Sequence, residues 1–462
     1  MELYITELSK YFITLFMALY TLACFLIFRF PDEERRSGIY FCQNLFMFLV
    51  HFSCFLVICF ETGNIEYLFF YALQQILLFA TVMLFRMIYP KGNRLIIHNM
   101  CLLLGIGFVI LTRLSFEKAM KQFFIVTVSI VAGMLIPYFI HKLRFLKSLT
   151  WVYAAVGIAA LGIVLILGVT TRGSKISYSI AGVTFQPSEF VKILFVFFLA
   201  SAFYESDRFV RVILTAVLAG LHVLILVASR DLGSALIFFI VYVMMVFIAT
   251  GRWIYLFLGS VGGCAAAVFA YRFFTHVQVR VLAWKDPFSC IDDAGYQITQ
   301  SLFAISSGGW FGLGLFRGTP SSIPFVEADF VFSAVAEELG ILFSMCMILI
   351  CISCFIMFMD IAVRLKDRFY QLIAFGLGIT YIFQVFLTVG GGTKFIPMTG
   401  VTLPFISYGG SSVLTTLVMF FTIEGLYIIQ QEEGERRVKK KKSGRRTKQK
   451  ASREVPERQE EE

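Results

Sequence analysis

The chain has 462 residues, of which 58% are hydrophobic and only 15% charged, with a mean hydropathy of +0.81, far above the roughly 45–50% apolar share of soluble domains. These values exclude a soluble globular enzyme and define a polytopic membrane protein. The formal charge of +10 is uneven and lies largely in the C-terminal tail, without the aromatic interleaving of nucleic-acid binders, so nucleic acid is not an expected partner.

In chain order, apolar windows of roughly 17 to 25 residues, enough to cross about 30 Å of hydrocarbon, recur from Tyr11 to Ile429. About thirteen are expected, all helical, which makes the fold class an all-α polytopic membrane protein. A transmembrane β-barrel is excluded, because runs such as VYAAVGIAALGIVLILG are apolar all round instead of alternating. The first span has no basic n-region and is long, and so reads as a retained helix. Of ten cysteines all but Cys290 lie within or at the edges of apolar spans, where a thiol behaves as a small hydrophobe. No disulfide framework is implied, Cys351 and Cys354 read as core packing, and the five histidines form no metal-ligand cluster.

The segment Arg436–Arg453 holds eleven Lys or Arg and no acid, and is expected to be disordered and cytoplasmic, either drawn to anionic membrane lipids or anchoring the topology. Counting back from a cytoplasmic C-terminus puts the basic turns inside and the N-terminus outside. The exterior then receives TTRGSKISYSIAGVTFQPSE, the turn at SRD, a long segment at about 274–328, and GGGTKFIPMTGVTLPF. Within the long segment, Ile298, Leu302, Phe303 and Ile305 predict a short amphipathic helix at the membrane interface, ended by Gly308 and Gly309.

Isolated charges in apolar segments are costly and mark functional positions. Glu189 and Lys192 are three apart and share a helix face, as a structural ion pair or as site residues; Pro187 suits the first turn, with Gln186 or Ser188 serving its free amides. Asp231 suits a helix cap, and Arg230 beside it reaches for a phosphate. Asp329 opens another span, where capping competes with a chemical role. The last exterior stretch breaks a helix with glycines and prolines, and backbone of that kind survives at membrane depth only inside protein or along a wet cavity. Its expected lining is Lys394, Thr399, Ser407, Tyr408, Ser411 and Ser412.

Taken together, FQPSEFVK, RDLGSAL, GYQITQSLFAISSGGWFGLGL, ADFVFSAVAEELG and TGVTLPFISYGGSS resemble, in this order, the motifs of the SEDS family of FtsW, RodA and SpoVE type, which serves shape, elongation, division and sporulation. The resemblance covers about Arg94 to Ile429. It implies a ten-helix core at 94–430 with a large exterior loop at about 274–328, a three-helix N-terminal extension at 1–93, and a tail at 431–462. It also implies a peptidoglycan glycosyltransferase in the bacterial cytoplasmic membrane, polymerising lipid II on the outer face beside a class B penicillin-binding protein. In such enzymes the carboxylate matching Asp329 is the proposed general base. Lys192, Lys175, Arg230 and Lys394 are the candidate cations for the leaving pyrophosphate, and Gln186, Glu189, Ser407, Tyr408, Ser411 and Ser412 complete the expected substrate site. No cofactor is required, and assistance to the pyrophosphate by a divalent cation is left open.

The chain departs from the family pattern in places. Glu327 stands where relatives commonly carry histidine, and its charge would raise the proton affinity of Asp329 if the two were close. RDLG replaces the commoner QPDLG, and Ser177 lies in a region where a tryptophan is usual. The competing reading is a flippase or transporter for the lipid-linked precursor, since broken helices and intramembrane charges also suit alternating access. A third reading, an inactive scaffold, sits poorly with retention of Asp329, Lys192 and Glu189.

Overall fold

The computed structural model describes residues 2–30, 32–171, 174–180 and 183–451. Three helices precede the core: α1 (Glu2–Arg29), α2 (Glu33–Thr62) and α3 (Ile65–Ile88). The core begins with α4 (Arg94–Leu114), α5 (Phe116–Gly133), α6 (Ile136–Lys142) and α7 (Thr150–Leu167). Three short strands follow, β1 (Val169–Thr171), β2 (Ser174–Ile180) and β3 (Val183–Phe185). Next come α8 (Pro187–Glu205), α9 (Phe209–Ala228), α10 (Leu232–Thr250), α11 (Trp253–Phe273), α12 (Thr275–Lys285) and α13 (Tyr296–Gly308). The chain ends in α14 (Val331–Arg364), α15 (Arg368–Gly392) and α16 (Gly410–Ala451).

Among the described residues 13 segments are long and apolar enough to span a membrane, α5 and α6 together forming one of them. The expected number is met. Their burial sorts them: the apolar window of α4 is 100% enclosed by protein while that of α11 is 0% enclosed, so α4 is the spine of the bundle and α11 lies at its edge, packed on α10 through Gly259 and Gly263.

Two polar segments carry regular structure. The polar segment between α7 and α8 is an antiparallel meander with strand order β1-β2-β3, in which Ser177 pairs with Val169 and Tyr178 with Phe185; the polar–apolar alternation of SKISYSI is the pattern of a strand. The fold is therefore all-helical in its membrane part and carries a small sheet at one end. Toward the other end, α16 extends to Ala451, through a segment rich in Lys, Arg and Gln, which are good helix formers.

The three added helices are built into the core. Tyr20 on α1 donates to Asn99 on α4 at 2.9 Å, Asn99 donates to Ser353 on α14 at 2.8 Å, and His98 meets Gln43 on α2 at 3.2 Å. Such bonds between membrane helices contribute about 0.6 kcal/mol each and fix register. On the cavity side of the bundle Arg317 pairs with Glu61 at the end of α2 at 3.1 Å, and Tyr11 packs on Phe311.

α14 is broken where the preceding polar chain enters it. Gly340 has φ 88° and ψ 168°, and a Cβ there would meet the Gly312 nitrogen at 2.4 Å, so only glycine fits. The Leu313 and Gly314 amides bond the Glu337 and Glu338 carbonyls, both at 2.9 Å, and the Ile341 amide bonds Gly309. The buried carboxylates finish the joint: Glu338 pairs with Arg113 at 2.9 Å and accepts from the Phe316 amide, while Glu337 accepts from the Thr319 amide at 2.8 Å. Two of the four acids in this stretch thus tie down a loop.

The predicted short helix is α13, ended by Gly309 in a positive-φ conformation. The face it buries is not the set of apolar residues expected. Ile298, Ser301, Ala304 and Gly308 are buried against protein, whereas Phe303 is 50% exposed, because the small side chains let α13 approach α14 until a Cβ at Gly308 would overlap the Ala336 carbonyl.

Candidate active site

A cavity of about 930 Å³ lies at one end of the bundle, near the upper end of the range for small-molecule sites. It is framed by helix starts. Met120 and Lys121 come from the beginning of α5, Gln186 and Glu189 from that of α8, Asp231 and Ser234 from that of α10, Asp329 from just before α14, and Ser411 and Ser412 from that of α16. Helix N-termini carry partial positive charge and free amides, so their convergence favours an anionic ligand.

Asp329 is held in place by its neighbours. Ala328 and Phe330 are buried on either side of it, Ser407 donates to the Ala328 carbonyl at 2.5 Å, and the Tyr408 amide donates to the Glu327 carbonyl at 2.7 Å. The segment before α14 is thereby fastened to the broken stretch before α16. The cap position of α14 is Phe330, whose side chain makes no cap bond.

Around the turn between α9 and α10, Asp231 does cap α10, accepting from the Ser234 amide at 3.1 Å. Its other oxygen accepts from Ser188 at 3.2 Å and from the Gln186 amide group at 3.3 Å. Gln186 therefore ties α8 to α10 and leaves its own helix without a side-chain cap. Arg230 lines the cavity with φ 62°, a left-handed conformation costly for a non-glycine residue and found where surroundings over-determine the backbone.

Glu189 and Lys192 form a buried ion pair at 2.9 Å. Lys192 also donates to Gln384 at 2.9 Å, Gln384 donates to the Thr402 carbonyl and to Ser412, and Thr402 shares a 2.7 Å bond with Ser412. Lys192 is 2% exposed and does not line the cavity. Its place corrects its expected role as a direct phosphate ligand: it supports the floor.

Other expected residues sort by position. Tyr408, Thr399, Ser411 and Ser412 line the cavity, and Ser411 accepts from the Gln186 backbone amide at 2.9 Å. Ser407 is buried beneath it, and Lys394 lies outside it with φ 59° and its carbonyl bonded by Trp284. Both corrections follow from the sharp turn of the chain at these residues. Lys175 lies in β2 with its side chain outside the described residues. Glu327 does not line the cavity; it pairs with Lys118 at 2.5 Å, and this cation offsets the repulsion through which it was expected to tune Asp329. Among the described residues no group of three His, Cys, Asp or Glu could hold a metal ion.

Of the site's two arginines, one went unread in the sequence. Arg280 on α12 lines the cavity and donates from Nη1 to the Met398 and Thr399 carbonyls at 3.3 and 3.4 Å. Burial lowers its pKa from the ordinary arginine range, opposed by the negative charges of Asp231 and Asp329, and it remains a cation at neutral pH. Its signal was a lone arginine among apolar residues in HVQVRVLAW, inside a segment read as loop.

Fold and site together define a polytopic helical membrane protein with a carboxylate-bearing, anion-favouring cavity at one end. The chain belongs to the FtsW/RodA/SpoVE family, whose model, described as "Cell cycle protein", matches residues 93–431. It is 31% identical to the peptidoglycan glycosyltransferase RodA of Mycobacterium tuberculosis over 76% of this chain and 81% of that one. A probable peptidoglycan glycosyltransferase FtsW of Alcanivorax borkumensis is 32% identical over 67% of this chain and 83% of its own. Among solved structures, a chain from a peptidoglycan synthase complex that coordinates polymerization and crosslinking superposes with a TM-score of 0.63 at 24% identity, covering 74% of this chain and 98% of its own. RodA of Thermus thermophilus superposes at 0.52 and 22%, covering 73% and 96%.

Proposed function

We infer that this chain is a peptidoglycan glycosyltransferase that polymerises lipid II, with Asp329 as its general base. The observation that carries the assignment is the placement of Asp329 in a cavity that also gathers several helix N-termini, Arg230 and Arg280. A growing glycan needs a sugar hydroxyl activated and a diphosphate released, and the two demands call for a carboxylate beside an anion site. Asp329 takes the proton of the acceptor hydroxyl as its oxygen bonds to the anomeric carbon of the donor. The bond from that carbon to the diphosphate oxygen breaks with its electron pair on the diphosphate, and the polyprenyl diphosphate leaves.

Met120, Phe124 and Ile125 of α5 give the cavity an apolar patch beside Lys121, and this patch suits the lipid part of such a substrate. The flippase reading is disfavoured by the same geometry. Transporter sites lie near the bilayer midplane between repeats, whereas this cavity sits at helix ends. The cavity end is the exterior in this reading, with the N-terminus outside and the C-terminus in the cytoplasm. A class B penicillin-binding protein is the partner that would cross-link the product, and the basic tail meets anionic lipids on the inner face. Glycan formation from labelled lipid II by the purified full chain with that partner tests the assignment; movement of lipid II across liposomes without polymer formation would favour the flippase.

A further inference from the structure

We propose that Arg280, together with Arg230, forms the site that holds the diphosphate of the lipid-linked donor. The inference rests on the glycosyltransferase reading and names a ligand group within it. Among the described residues the cations lining the cavity are Lys121, Arg230 and Arg280. Lys121 is occupied by Glu117 one turn earlier on α5 at 2.7 Å. The lysines next to the cavity are engaged elsewhere, Lys118 with Glu327 and Lys192 with Glu189 and Gln384.

Arg280 is differently placed. Both of its described hydrogen bonds leave from Nη1 and go to neutral carbonyls, so its cationic charge is not consumed by a bonded carboxylate. A guanidinium anchored on one nitrogen presents a planar fork from the others, the geometry that matches phosphate oxygens two at a time. The carbonyls that anchor it belong to the broken stretch before α16, whose continuation brings Ser411 and Ser412 to the same cavity. Asp231 and Asp329 line the same cavity as Arg280, so the fork shares that space with the capped start of α10 and the proposed base. A diphosphate held there lies in the same cavity as Asp329, and the charge released on bond cleavage develops beside these arginines.

The test measures binding of three probes to the full-length protein in detergent: a polyprenyl diphosphate, the corresponding polyprenol, and inorganic diphosphate. Arg280→Gln keeps an amide donor for the Met398 and Thr399 carbonyls but removes the charge. It is expected to weaken polyprenyl diphosphate binding by at least about tenfold, the scale of one charge-assisted bond, and to leave polyprenol binding unchanged; Arg280→Lys should fall between. Inorganic diphosphate should compete in the wild type and lose that competition in Arg280→Gln. Equal binding of polyprenyl diphosphate by wild type and Arg280→Gln would overturn the inference, as would an equal loss for polyprenol, which marks a purely structural role. If Arg280→Gln does not fold, Arg280→Lys and Arg230→Gln decide by the same criteria. Lipid II polymerisation by the wild type is scored separately: diphosphate binding through Arg280 without glycan formation would overturn the enzymatic reading and leave the anion site standing.

Discussion

The four acids between Glu327 and Glu338 occupy four different environments within a few residues. Glu327 meets Lys118, Glu337 and Glu338 meet loop amides and Arg113, and Asp329 lines the cavity. Composition marks all of them as costly, and only their partners separate structure from chemistry. The same distinction governs Lys192. With Glu189 it forms a pair whose side chains are 1% and 8% exposed, so Lys192→Met strands a buried carboxylate and should cost about 3–5 kcal/mol, read as a large fall in melting temperature. Lys192→Met combined with Glu189→Leu should recover most of that stability while activity stays lost, because the Gln384–Thr402–Ser412 floor no longer has its anchor. Asp329, Arg230 and the Glu189–Lys192 pair were legible as charges in apolar or turn contexts. Arg280 was not, because its significance depends on a short helix that folds back over the cavity.

At the scale of elements, the departures from regular helix define the site. The break at Gly340 admits the exterior loop, and the break between α15 and α16 supplies the serine-bearing floor. Gly340→Ala forces a side chain into positive φ and into the Gly312 backbone, and should destabilise the protein by at least about 1–3 kcal/mol. Thermal unfolding with Gly220→Ala as control measures this; Gly220 sits mid-helix with open space around its Cβ position, where alanine is neutral or favourable. Sequence patterns revealed the membrane spans, the second broken stretch and the end of α13, because hydropathy and glycine placement act locally. They did not reveal α12 or which face of α13 is buried, since both depend on contacts with α14 and the 398–412 stretch. The β-strands were visible in the alternation of SKISYSI, a signal masked by its glycine-flanked, loop-like setting.

For the whole molecule, the extension adds a second layer to one side of the core. Tyr20, Asn99 and Ser353 link α1, α4 and α14, and Asn99→Leu should lower stability by about 1 kcal/mol or less per bond removed, detectable as a lower melting temperature in detergent with lipid II polymerisation retained. The topology makes its own prediction. Cys290, outside the apolar spans and partly exposed, should react with a membrane-impermeant maleimide on intact cells, with labelling lost in Cys290→Ser. Labelling only after permeabilisation would invert the assigned orientation and place the cavity on the cytoplasmic face.

The central claim, that a carboxylate at the outer end of the bundle drives glycan polymerisation, is tested most directly by chain growth on labelled lipid II with wild type and Asp329→Asn side by side. Asparagine matches the size of aspartate and leaves the Ala328 and Phe330 packing intact, so the variant should fold with an unchanged melting temperature. A general base contributes about 10²–10⁴-fold, and polymer formation should fall by that factor. Asp329→Asn polymerising at the wild-type rate would contradict the account.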